Sequence, residues 1–173
     1  MRSRFNSLLT ISLTLFLTSC TRLLFDDEEL SMKRTNYIGE ELMTDGYYIT
    51  GENLGITFFL YKNGVFLQGF AFDMMEKTEV ENSYKNGDFY NSIKDNKLHW
   101  GLFRVSSNEI IIEGWQPTGG GSFSTYSLKG EIPNDTTIHI MQKWSHGKKE
   151  AYNEIYHFKQ FNPKPDSTNS FIK

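Results

Sequence analysis

The chain has 173 residues, 18 Lys and Arg against 21 Asp and Glu, and a net charge of −3. That acidic balance excludes the electrostatic footprint of a binder of nucleic acid or anionic lipid. The content of 14 Phe, 9 Tyr and 3 Trp with only four Pro excludes a low-complexity linker and points to a β-rich core.

Residues Met1-Arg2-Ser3-Arg4 are basic, and residues 8–17 are apolar and uncharged. The apolar run is too short for a spanning helix, which needs roughly 20 residues. A basic start, a short apolar stretch and small residues before a cut describe a secretory signal peptide over residues 1–19. Leu17-Thr18-Ser19-Cys20 resembles the bacterial lipobox, an aliphatic residue and two small residues before cysteine. The resemblance implies that Cys20 becomes the lipidated mature N-terminus, anchored in a membrane. Two or three acyl chains hold stably where one binds marginally, at ~0.8 kcal/mol per buried CH₂. Thr21 in place of aspartate resembles the outer-membrane-directed case, so the expected location is the outer membrane of a cell envelope.

Cys20 is the only cysteine, so its lipidation excludes disulfides and thiol chemistry. Loss of Arg2 and Arg4 with the signal peptide takes the net charge from −3 to −5. Residues 20–43 read as a tether, with the acidic run Asp26-Asp27-Glu28-Glu29 as a solvated part of it.

From Thr44 the pattern changes to period two. Strands are predicted over 46–50, 55–62 and 65–72, the last two joined at Asn63-Gly64, where both residues tolerate positive φ. On the third strand Phe66, Phe70 and Phe72 share one face. Residues 73–96 interrupt the rhythm. Asp73 followed by Glu76 resembles a capping pair, and residues 74–80 are predicted as a short helix, with a polar insertion after it. Strands resume over 98–105, 109–115, 123–132, 136–144 and 152–161, and residues 162–173 read as a tail. The expected fold is all-β, an antiparallel meander barrel of about eight strands over residues 44–161. Closure also removes exposed edges.

Asp45-Gly46-Tyr47-Tyr48, Tyr61-Lys62-Asn63-Gly64, Trp100-Gly101-Leu102-Phe103, Lys129-Gly130-Glu131-Ile132 and Asn134-Asp135-Thr136-Thr137 together resemble small bacterial lipoproteins with lipocalin-like (calycin) barrels. The Gly-x-Trp signature of lipocalins is absent, since Tyr47 and Tyr48 follow Gly46. The matching motifs are turn and strand motifs, so they speak to fold rather than chemistry.

No catalytic or cofactor motif emerges. His99, His139, His146 and His157 lack ligand spacing, and no free cysteine joins them. No Gly-x-Ser-x-Gly elbow exists. Gly119-Gly120-Gly121-Ser122 precedes a strand rather than a helix, so it reads as a hairpin loop and not a phosphate cradle. Glu109 and Glu113 share a strand face with Trp115, a pairing also expected of solvent-facing residues. The aromatics Phe58, Phe66, Phe70, Trp100, Phe103, Trp115 and Trp144 are the candidate lining of a ligand cavity. They either surround a small apolar ligand or fill the core, because an eight-stranded barrel does one or the other. Two roles follow from these alternatives, with an enzyme as a third option that a buried cluster of His and carboxylates at the barrel mouth would revive. One is a non-enzymatic lipoprotein carrying a small apolar ligand. The other is an adaptor with a filled barrel that presents its outside to an envelope protein.

Overall fold

The computed structural model describes residues 26–51, 54–73 and 76–173. Cys20 and the signal peptide lie outside the described residues. Eight strands run in sequence order: β1 (Gly46–Thr50), β2 (Leu54–Leu60), β3 (Val65–Asp73), β4 (Trp100–Ser106), β5 (Glu109–Pro117), β6 (Phe123–Asn134), β7 (Thr137–Ser145) and β8 (Lys148–Gln160). Each pairs antiparallel with the next, and β8 returns to β1 with Gly46 opposite Gln160 and Thr50 opposite Tyr156. The sheet is therefore a closed meander barrel.

The strands are apolar on both faces because the barrel wall separates two cores. Inside lie Tyr48, Phe58, Leu60, Phe66, Phe103, Ile110, Ile112, Ile138, Ile140 and Tyr156. Outside, Tyr47, Phe59, Leu67, Trp100 and Leu102 form a second layer with Tyr84, Phe89 and Ile93. Those last three come from two helices between β3 and β4, α1 (Lys77–Asn86) and α2 (Asp88–Ile93). The predicted helix over 74–80 overlaps α1 from Lys77 and falls short of its end at Asn86, and residues 74 and 75 lie outside the described residues. Glu76 caps α1 without a side-chain bond, and Gly87, at φ +86°, turns the chain between the helices. Only Tyr84, Phe89 and Ile93 are buried there, so a polar-looking stretch carries a narrow apolar stripe.

The β2–β3 hairpin forms where expected but with a different turn. Only Gly64 has positive φ, at +81°. Its N–H donates to the Tyr61 carbonyl at 2.8 Å, and Asn63 Oδ1 accepts from Val65 N–H at 3.2 Å. This is a three-residue loop closed by a left-handed glycine.

Further along the same hairpin the register slips between Ile56 and Phe58. The slip carries Phe70 off the face of Phe66, against Tyr84 and Phe89 on the outer wall. The bulged backbone is bonded by side chains. Phe70 N–H donates to the Tyr84 hydroxyl at 2.9 Å, and Thr57 Oγ1 donates to the Phe70 carbonyl at 2.9 Å. The two hydroxyl oxygens are 2.7 Å apart, so Tyr84 donates to Thr57 and the set closes. Gly69 permits this approach, since a Cβ there would meet Thr57 Oγ1 at 2.3 Å and Tyr84 Oη at 2.6 Å.

The described parts of the expected tether and tail are held to the barrel at several points. Asp27 binds Lys97 at 2.9 Å and accepts from Phe123 N–H at 2.9 Å. Glu28 accepts from Thr125 N–H at 2.7 Å, and its own N–H donates to the Phe123 carbonyl. Asp27 and Glu28 find donors on β6, while all four acids of the run remain exposed. Downstream, the Glu113 carboxylate accepts from Ser31 and Met32 N–H at 2.9 and 2.7 Å. The strap ends across the far end of the barrel, where Tyr37 packs on Phe103 and Leu42 is buried. At the tail, Tyr61 donates to the Pro165 carbonyl at 2.7 Å and Ile172 is buried in the outer core.

Candidate functional site

The barrel interior is filled at one end and open at the other. At the closed end, Leu42, Tyr48, Phe103, Ile110, Ile132 and Ile138 pack together. Tyr48 also donates to the carbonyls of Met43 and Asp135 at 3.0 and 3.2 Å, tying the strap and the β6–β7 turn over that end. Phe58 marks the middle. Its ring lies 5.4 Å from Tyr48, 5.5 Å from Phe66 and 4.7 Å from Tyr156, so these rings form a floor.

Above that floor is a cavity of about 430 Å³ that opens at the barrel mouth. A volume in this range is ordinary for a small-molecule site. Its apolar lining includes Ile56, Phe58, Phe66, Leu98 and Leu128, and its polar lining Gln68, His99, Gln116, Tyr126, Lys143 and Tyr152. Room for the Tyr126 ring comes from Gly114, where a Cβ would stand 2.9–3.1 Å from that ring and its hydroxyl.

The polar groups divide by role. His99 Nδ1 faces the Gln68 carbonyl at 2.9 Å, which fixes the imidazole. Gln116 Nε2 contacts Ser124 Oγ at 3.4 Å. Lys143 makes no ion pair among the described residues, and its ammonium lies 5.6 Å from the Tyr126 ring centroid. A register slip between Ile140 and Gln142 against β8 is what turns Lys143 inward. Tyr156 donates to Glu154 at 2.6 Å. Burial, with Glu154 adding to it, pushes the Tyr152 hydroxyl up to about 12, and burial raises Tyr126 and Tyr156 as well. All three therefore stay neutral at neutral pH; Tyr152 and Tyr156 direct their protons at Glu154, which leaves Tyr126 as the donor to the cavity.

Of the aromatics predicted to line a cavity, Phe58, Phe66 and Trp115 do. Trp115 is also held to the strap, its Nε1 donating to the Glu28 carbonyl at 2.7 Å. Phe103 lies inside but at the filled end. Trp100 sits on the outer wall, where its Nε1 donates to the Ile93 carbonyl at 3.3 Å. Phe70 is on the outer wall for the reason given above, and Trp144 is 37% exposed beneath Lys149. Sequence reasoning missed the polar lining, of which Gln68, on the face of Phe66, and Gln116, on the face of Ile110 and Ile112, were discoverable by alternation.

The other candidate chemistry disperses. Glu113 holds the strap, while Glu109 pairs with Lys129 at 2.7 Å on the surface. His139 contacts Asn153 and His146 contacts Ser124. Among the described residues no three His, Cys, Asp or Glu side chains gather as metal ligands. Comparison with family models, with curated proteins and with solved structures found no match for this chain.

Proposed function

We propose that this protein is a lipid-anchored cell-envelope lipoprotein with a lipocalin-like barrel, placed at the outer membrane by Cys20, that binds a small amphiphile without catalysing a reaction. The observation that carries the reading is the open half of the barrel: an aromatic floor, apolar walls and a polar rim with one unpaired cation, Lys143. An apolar body would rest on Phe58 and Phe66, and an acidic head would meet the Lys143 ammonium and the Tyr126 hydroxyl. Desolvation of such a body is the main driving force, at roughly 25 cal/mol per Å² of apolar surface buried.

The test is a titration of the mature chain carrying Cys20→Ser with a fluorescent fatty acid. One saturable site is expected, and Leu128→Trp, which places an indole in the cavity, should weaken it at least tenfold. Absence of saturable binding, or equal binding by the Leu128→Trp chain, would overturn the proposal. The alternative role, an adaptor presenting its outside, would then draw support from the exposed Trp144 and Ile155.

A further inference from the structure

We infer that the open end of the barrel faces the membrane that holds the lipid anchor, and that its ligand is a single-chain amphiphile taken directly from that leaflet. The inference rests on the two parts of the proposed function, the anchor at Cys20 and the cavity as binding site.

The first support is where the described chain begins. Asp27 and Glu28 are bonded to Phe123 and Thr125, at the start of β6. That end of β6 is the mouth end, because Gln116 and Pro117 just before it and Tyr126 just after it line the cavity. From there the strap runs the length of the barrel to the closed end, where Met43 N–H donates to the Asp135 carbonyl at 2.9 Å. The chain therefore meets its anchor beside the mouth and not beside the closed end.

The second support is length. Six residue steps separate Cys20 from Asp26, so at ~3.3–3.6 Å each the tether reaches at most about 22 Å. The nine residues of β7 span ~26 Å along the strand, or roughly 20 Å along the axis at the usual strand tilt. The lipid headgroup layer adds ~5–7 Å. Placing the closed end against the membrane would require the tether to pass the full barrel height and the headgroups, about 25 Å or more, which exceeds its reach.

The experiment uses the full chain, processed and lipidated in cells and reconstituted in phospholipid vesicles. Lipidation consumes the Cys20 thiol, so Gly119→Cys at the mouth and Asn108→Cys at the closed end each accept one fluorophore. Gly119 has open space for the side chain. With a headgroup-level nitroxide lipid, quenching at position 119 should exceed that at 108 severalfold. Equal quenching, or stronger quenching at 108, overturns the orientation. A chain that incorporates no acyl label and does not join vesicles shows instead that the anchor is wrong, and the inference falls with it. A correctly oriented chain that takes up no fluorescent fatty acid from its own vesicle refutes the ligand source alone.

Discussion

Replacing Tyr84 by Phe removes one oxygen from a side chain that is 1% exposed, and the consequence follows from the bulge at Phe70. The ring would keep its neighbours, Phe59 at 5.0 Å and Phe89 at 4.8 Å, so no sizeable cavity forms. What is lost is the acceptor of Phe70 N–H and the donor to Thr57 Oγ1. A covered donor left without a partner costs about 1–3 kcal/mol. At roughly 2–4 °C per kcal/mol for a chain of this size, Tyr84→Phe should lower Tm by several degrees. Thr57→Val removes the bond to the Phe70 carbonyl and should cost a similar amount. The two losses share the Tyr84–Thr57 bond, so the double variant should fall short of the sum by at least about 0.5 kcal/mol. Urea unfolding of the four chains measures the cycle. Single costs below about 0.5 kcal/mol, or strict additivity, would refute the closed set of bonds, since its members could then be removed independently.

Three further outcomes can be checked. Glu113→Ala leaves Ser31 and Met32 N–H without their acceptor and should expose the strap to proteolysis near residue 32 while the barrel stays resistant. Acid should act on the same strap. Bonds from Thr125 hold Glu28 below its ordinary 4.5. Burial pushes Asp27 up, but bonds from Lys97 and Phe123 outweigh it and bring it below 3.8. A carboxylate with a depressed folded value contributes stability above the ordinary range and loses it as pH falls through the folded value, so the protection of amides at residues 27–34 relative to their intrinsic exchange should fall below about pH 4. Lys164 works in the other direction. Burial holds its ammonium down to about 8 despite Asp45, so between pH 8 and the ordinary 10.5 the unfolded chain binds more protons and stability rises with pH. Thermal melts at pH 8 and pH 9.5 should show that gain, and Lys164→Met should lack it.

Strand alternation made the meander barrel legible because most strands carry an apolar residue at every second position, and closure followed from strand count and tight turns. It failed where a strand changed parity. Phe66 and Phe70 look equivalent in sequence, yet the slip beside Gly69 sends one inward and the other out; a glycine inside a strand was the only hint. Lys143 is hidden in the same way, since Ile138 and Ile140 mark the even residues as inward until the irregularity after Ile140. Trp100 was read as a cavity candidate because its strand is apolar on both faces, and only the docked helix α2 shows which core each face serves. The strap escaped notice for a different reason. Its acids bind backbone N–H groups at the start of β6, and donors of that kind leave no mark in side-chain composition.

The central claim is that the unfilled half of the barrel is the binding site. Backbone amide shifts of the isotope-labelled mature chain, recorded during titration with a medium-chain fatty acid, test it most directly. The account predicts saturable shifts at Gln68, Gln116, Tyr126, Leu128, Lys143 and Tyr152, with Ile110 and Ile138 at the closed end unmoved. Shifts centred on Trp144 and Ile155 on the outer face, or no saturable shifts, would contradict it.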